Sequence, residues 1–185
     1  MAPIIFLQMY PVDDQDCVRE LKDVPQPDIG APAPLILSDE GVTLLAYSVQ
    51  GKPLPAEGRV LAESDMEMFV PDSALIEFHR CQAYTFGPPN DEAFEGHPLA
   101  SRGLHPYAVF EIEGSSWIRQ LELMNSVHPA HRGGWLERLR HFVFAFHDST
   151  FECVARGLTI SKHRDSFESL LAEMQRRLRR DGFHQ

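Results

Sequence analysis

Apolar and polar residues alternate most regularly between His141 and Arg156, where the chain reads His-Phe-Val-Phe-Ala-Phe-His-Asp-Ser-Thr-Phe-Glu-Cys-Val-Ala-Arg. A period of two predicts strands, and the polar run His147 to Thr150 predicts a tight connection between two antiparallel ones. Pairing Phe146 with Phe151 puts Phe142, Phe144, Phe146, Phe151, Cys153 and Ala155 on one face. The opposite face carries His141, Val143, Ala145, Glu152, Val154 and Arg156, with His147 and Asp148 at the tip. The first face is core. The second mixes titratable groups with small side chains, which leaves room for a ligand or a partner. A slip of one residue would turn Glu152 onto the phenylalanine face, so the register decides the meaning of this hairpin.

The same pattern predicts further elements. Leu35 to Leu37 and Val42 to Val49 flank the turn Ser38-Asp39-Glu40-Gly41 and form a hairpin. Ala74 to Phe86 is a long strand, bent near Arg80, and Tyr107 to Glu113 is another. Apolar spacing of three and four predicts a helix capped by Ser115 or Ser116 and reaching about Asn125, with Trp117, Ile118, Leu121 and Met124 on one stripe. Asp16 to Asp23 reads as a short helix, and Trp135 to Leu139 as one further turn. The closing helix has Asp165 as N-cap, Glu168 completing a capping box, and Gly182 as its stop. Its stripe is Phe167, Leu170, Leu171, Met174 and Leu178, and arginines crowd its last turns.

All fourteen prolines lie at or before Pro129. Pro25 to Pro34 is an extended linker, Lys52 to Gly58 is a loop, and Gly87 to Gly103 is a long, stiff, charged loop. Strands dominate and βαβ alternation is missing. The expected architecture is α+β: an antiparallel β-sheet with a C-terminal amphipathic helix and one or two further helices packed on one face. Residues 1–34 form an N-terminal extension with its Pro-rich linker, and residues 35–185 form a single domain.

Composition narrows the function classes. The net charge is −10 over 185 residues. Residues 1–100 hold 5 basic and 17 acidic side chains, and residues 101–185 hold 12 and 10. The acidic first half argues against nucleic acid. No apolar run approaches the ~18 residues of a membrane span, and the start lacks a basic leader. Cys17, Cys81 and Cys153 have neither metal-ligand nor redox spacing, which suggests free thiols in a reducing cytoplasm. The sequence has no glycine-rich phosphate loop, dinucleotide fingerprint, His-Glu-x-x-His, Cys-x-x-Cys or Gly-x-Ser-x-Gly.

Two segments concentrate reactive side chains: the loop 87–103, with Asp91, Glu92, Glu95, His97 and Arg102, and the mixed hairpin face. Folded together, they make His97, Arg102, His141, His147, Asp148, Glu152 and Arg156 candidate ligand-binding residues. His147, Glu152 and His141 are the candidates for catalysis, because a histidine titrates near neutrality and a carboxylate orients it. Imidazoles with a carboxylate also suit a divalent metal, with His97, His141, His147 and Glu152 as candidate ligands. His128 and His131 fall in a surface loop and read as spectators.

The leading expectation is a soluble, cytoplasmic binding protein with a His/Glu/Arg-lined pocket or interface for a small anionic ligand or a protein partner. One alternative is a small, metal-dependent or metal-free hydrolase or lyase using His and Glu. Another is an acidic inhibitor or immunity-type protein whose first half is the contact surface.

Overall fold

The computed structural model describes residues 10–30, 32–50, 72–164 and 166–181. The loop expected at Lys52 to Gly58, the cap at Asp165 and the stop at Gly182 lie outside the described residues.

Among the described residues, nine strands form two antiparallel sheets. The first has the order β1-β6-β7-β8-β5, where β1 is Cys17–Glu20, β5 is Ala83–Gly87, β6 is Val109–Glu113, β7 is Arg140–Ala145 and β8 is Thr150–Ala155. The second has the order β2-β3-β4-β9, from Leu35–Ser38, Val42–Ser48, Ser73–His79 and Gly157–His163. The helices are α1, Ser116–Asn125, and α2, Phe167–Asp181.

Period-two patterning explains how the sheets stack. Leu45, Tyr47, Ile76 and Phe78 of the second sheet bury against Phe142, Phe144, Phe146, Phe151, Cys153 and Ala155 of the first. The alternate residues of the second sheet, Val42, Leu44, Ala46 and Leu75, receive Leu170 and Met174 of α2 on its outer side. The alternate residues of the first, Phe110, Ile112, Val143, Ala145 and Val154, meet a third cluster with Trp117 of α1 and Tyr10, Phe94, Leu99 and Leu104 of the preceding segments. The fold is therefore α+β. The single sheet with helices on one face becomes two stacked sheets with the helices on opposite outer faces. Strands buried on both sides need apolar residues on both, which is why so many here are nearly continuous in Val, Leu and Phe.

The sheets are joined at a corner. The strand expected from Ala74 to Phe86 is two, and the break falls at Arg80, whose φ of 52° is left-handed. The β8–β9 strand turns beside it. His79 pairs with Gly157, and Ala83 pairs with Val154. Four steps on one chain thus match three on the other, which is a β-bulge that re-aims the ladder from one sheet into the next. The Arg156 amide donates to the His79 carbonyl at 2.8 Å, and the Gln82 amide to the Val154 carbonyl at 2.8 Å.

Two expectations change in detail. Phe144, not Phe146, pairs with Phe151, and the Phe146 amide donates to the Ser149 carbonyl at 2.9 Å, leaving His147 and Asp148 alone in the turn. The displacement is two residues, so every side chain keeps its face. Asp16 to Asp23 is not helical: Val18 pairs with Ile112 and Arg19 with Glu111 in β1. The segment expected as an extension thus supplies an edge strand. Gly114, at φ 62°, lets the chain turn into α1, whose Ser115 cap accepts from the Ile118 amide at 3.3 Å. The Ser116 amide meets Asp16 Oδ1 at 2.7 Å and ties the N-terminal segment to the same turn.

Candidate functional site

The outer face of the first sheet brings His97, His141 and Glu152 together, as the pattern suggested, but in a closed environment. Their exposures are 4%, 0% and 5%. His141 and Glu152 project from β7 and β8, and His97 arrives on the long loop. That loop is held down by Phe94, Leu99 and Leu104 and contains two short 3₁₀ turns, Phe94–Gly96 and Ala100–Arg102. His97 Nδ1 accepts from the Leu99 amide at 3.1 Å, so its proton is on Nε2, which donates to Glu152 Oε1 at 3.0 Å. Glu152 Oε2 receives His141 Nε2 at 2.9 Å and the Tyr10 hydroxyl at 2.7 Å. Ser115 Oγ meets His141 Nδ1 at 2.9 Å.

Burial pushes the Glu152 carboxyl up. Hydrogen bonds from His141 and His97, with electrostatic attraction to both rings, outweigh it and hold the group at about 2. Burial, followed by the Glu152 charge, pushes the Tyr10 phenol up, so it remains a donor. The Tyr10 ring stacks on Trp117 at 5.4 Å, and both rings stand edge-on to His141. The mixed hairpin face, expected to leave room, is thus covered by aromatic rings. Both imidazoles spend Nδ1 and Nε2 on protein partners, so neither offers a lone pair to a shared point. Among the described residues no three His, Cys, Asp or Glu side chains are placed to hold a metal ion.

His147 stands apart from this network, at the hairpin tip with its side chain 42% exposed. Its Nδ1 lies 2.9 Å from Asp91 Oδ2 and 2.9 Å from Tyr107 Oη, and the Tyr107 hydroxyl also donates to Asp91. Tyr107 has a left-handed φ of 61°. The Asp91 amide donates to the His147 carbonyl and the Tyr107 amide to the Ala145 carbonyl, each at 2.9 Å, which fixes the loop to the tip. The Tyr107 hydroxyl, then His147, hold the Asp91 carboxyl below its usual range. The hydrogen bond to Asp91 raises His147 and pushes Tyr107 up to about 12.

The remaining candidates scatter. Asp148 shares the tip with His147. Arg102 is occupied by the N-terminal segment, donating to the Asp13 and Asp16 carbonyls at 2.5 and 2.9 Å. Arg156 is exposed at the corner between the sheets.

A groove of about 360 Å³ opens elsewhere, after α1, lined by Asn125, His128, Ala130, His131, Arg132 and Gly133. His128 Nδ1 accepts from the Ala130 amide at 3.1 Å, which leaves an Nε2 proton to face outward. His131 Nε2 is paired with Glu122 at 2.7 Å. Leu123, Met124 and Val127, on the same segment, are exposed. Met124 therefore does not join the buried stripe of α1. Sequence reasoning set this loop aside because its histidines stand in no periodic element. It read Ser115 only as a helix cap and Tyr107 only as a strand residue, and it missed Tyr10; their site partners are distant in sequence and carry no local signal. No family model, characterised protein or solved structure matches the chain.

Proposed function

We propose that this protein is a binding module for a small anionic ligand, and that the ligand sits in the groove after α1 rather than on the hairpin face. The observation that carries this reading is Arg132. It lines the groove, is exposed, and among the described residues has no carboxylate partner, in a chain of net charge −10. An unpaired guanidinium offers a planar fork that matches a carboxylate or phosphate. His128 adds a neutral donor, and the Glu122–His131 pair orients the groove's other ring. The exposed Leu123, Met124 and Val127 favour a ligand that joins its anion to an apolar portion.

Titration with inorganic phosphate, acetate and benzoate, followed by amide NMR shifts, tests the reading. Shifts centred on 125–133, tighter for benzoate than acetate, are expected. Arg132→Ala weakens binding by roughly tenfold or more, because a charged hydrogen bond contributes about 1.5–3 kcal/mol. Equal binding by the variant, or no shift in the wild type, rules the groove out.

A second reading rests on a different observation. The half-exposed Asp91–His147–Tyr107 arrangement joins an oriented imidazole to a carboxylate, as general acid–base chemistry requires. It supports a small hydrolase acting at the hairpin tip. Turnover of an ester panel that His147→Ala abolishes would favour it, and absence of turnover counts against it.

A further inference from the structure

Each sheet ends in two edge strands, whose outward amides and carbonyls offer a template for a further strand. Three of the four edges are guarded. β1 carries Arg19 and Glu20, with Arg19 ion-paired to Glu111 and Glu113. β2 turns Leu35 and Leu37 toward Leu170 and Met174 of α2. β9 carries Lys162 and His163. β5 has no such guard: it reads Ala83-Tyr84-Thr85-Phe86-Gly87, without a charge or a proline.

The side chains of β5 sharpen the contrast. Tyr84 pairs with Cys153 and Phe86 with Phe151, so both point to the inter-sheet side of the first sheet. Cys153 and Phe151 are fully buried there, whereas Tyr84 and Phe86 are 44% and 47% exposed. The described part of the second sheet therefore stops short of β5. The Tyr84 ring stacks on Phe151 at 5.9 Å and carries the core outward to an uncovered rim.

We propose that β5 is a dimerisation edge: a second copy of this chain lays its own β5 antiparallel to the first, about a two-fold axis through Thr85. Strand chemistry selects a second copy because the segment is complementary to itself. About that axis Tyr84 opposes the partner's Phe86, Phe86 opposes the partner's Tyr84, and all four rings share the uncovered face. Aromatic cross-strand pairs of this kind are favourable.

Charge selects the same occupant. At the Gly87 end of β5 stand Asp148 on the hairpin tip and Glu92 and Glu95 on the long loop, all exposed. At the Ala83 end stand Arg80 and Arg156, exposed and, among the described residues, without a carboxylate partner. An antiparallel pair sets each acidic end beside the other copy's basic end, twice. In a chain of net charge −10, that arrangement lets two like-charged molecules meet through unlike charges. The bulge before Ala83 and Pro88 after Gly87 bound the pairing at both ends. The contact is isologous and uses up the edge, so assembly closes at two copies.

The test is sedimentation of the full chain from micromolar to millimolar concentration. The expected result is twice the 21.0 kDa mass of one chain, falling to one on dilution. Tyr84→Lys combined with Phe86→Lys sets like charges opposite each other across the axis. It keeps the fold, because both side chains are half-exposed, and weakens the dimer by roughly tenfold or more. Thr85→Cys reads the register. Directly opposed Cα atoms stand about 4.5–5.5 Å apart, within the roughly 4.4–6.8 Å span of a disulfide, so mild oxidation links position 85 of one copy to position 85 of the other. Arg156→Glu, at an exposed position, keeps the proposal falsifiable if the lysine variant does not fold; it weakens the dimer and flattens its salt dependence. A wild type that stays monomeric gives the edge to a different chain and overturns the proposal. A dimer that the folded variants leave intact, or a cross-link that misses position 85, overturns it as well.

Discussion

The molecule contains two clusters of the same three side-chain types. Tyr10, Glu152 and the pair His97 and His141 make one, and Tyr107, Asp91 and His147 make the other. In both, a tyrosine hydroxyl and an imidazole converge on a carboxylate. The first is sealed under Trp117, Leu99 and Phe94, and the second is open at the tip of the same hairpin, a few residues along the same strands. What separates them is water. In the sealed cluster every polar atom must find a protein partner, so the arrangement is complete in itself and works as a polar pin between β7, β8, the long loop and the N-terminal segment. In the open cluster water satisfies what the protein does not, and the imidazole keeps one face for other chemistry. The same chemical groups therefore specify structure in one place and availability in the other.

The largest expected effect breaks the sealed cluster. Glu152→Ala removes the common acceptor and strands three donors in an apolar layer, for a loss of about 3–5 kcal/mol. Urea unfolding measures it. The matching change in the open cluster, Asp91→Ala, costs less, about 1–2 kcal/mol, because its partners at the half-exposed tip can turn to water. Similar losses in both variants would mean that burial is not what separates the clusters.

Acid titration sharpens the same contrast. The Glu152 carboxyl falls from an ordinary 4.5 to about 2 on folding. A depressed carboxyl contributes stability that is complete above the unfolded value and lost as pH falls through the folded one. The window is therefore pH 4.5 down to 2, and the contribution is on the order of 3 kcal/mol. In Glu152→Gln, unfolding free energies at pH 7 and at the bottom of that window should differ from each other by that much less than in the wild type. An unchanged acid limb would show that the carboxylate gains nothing from its donors.

Tyr10→Phe is the gentler probe. It keeps the ring on Trp117 and deletes one hydroxyl. Glu152 Oε2 keeps His141, so the loss is about 1.5–3 kcal/mol, as for one hydrogen bond to a charged group. A neutral result would assign the N-terminal anchor to the ring stack alone.

Local periodicity made much of this legible. The faces of β7 and β8, the β2–β3 hairpin, the break at Arg80 and the start of α1 at Ser115 all follow from spacing and capping within about ten residues. The convergence of His97 with His141 and Glu152 was legible too, as a loop folding over a face. Its sealing was not, because that depends on Tyr10 arriving from 142 positions away and on the first sheet being buried on both sides. A strand with apolar residues on both faces looks the same in sequence whether its polar members face a ligand or a second core. The short strand at Cys17–Glu20 was missed for a related reason: four residues hold too little pattern to tell an edge strand from a helical turn. The groove after α1 has no periodicity at all, so only the fold reveals that Arg132 has no carboxylate partner among the described residues.

The smallest effect isolates the open cluster. Asp91 raises His147 above its ordinary 6.5 mainly through the hydrogen bond to Nδ1, with Asp91's charge acting against desolvation. A raised imidazole contributes stability that is complete below the unfolded value and is lost as pH rises through the folded one. Above that point the His147–Asp91 link is a hydrogen bond from a neutral ring to a carboxylate. NMR titration of the His147 ring in the wild type and in Asp91→Asn reads this directly. The midpoint should fall toward 6.5 in the variant, while the His97 and His141 resonances stay unmoved because they belong to the sealed cluster. A shift of all three rings together would mean that the hairpin transmits charge from tip to core and that the two clusters act as one site. A midpoint unmoved at His147 would leave the tip histidine without a functional partner, and the acid–base reading would fall with it.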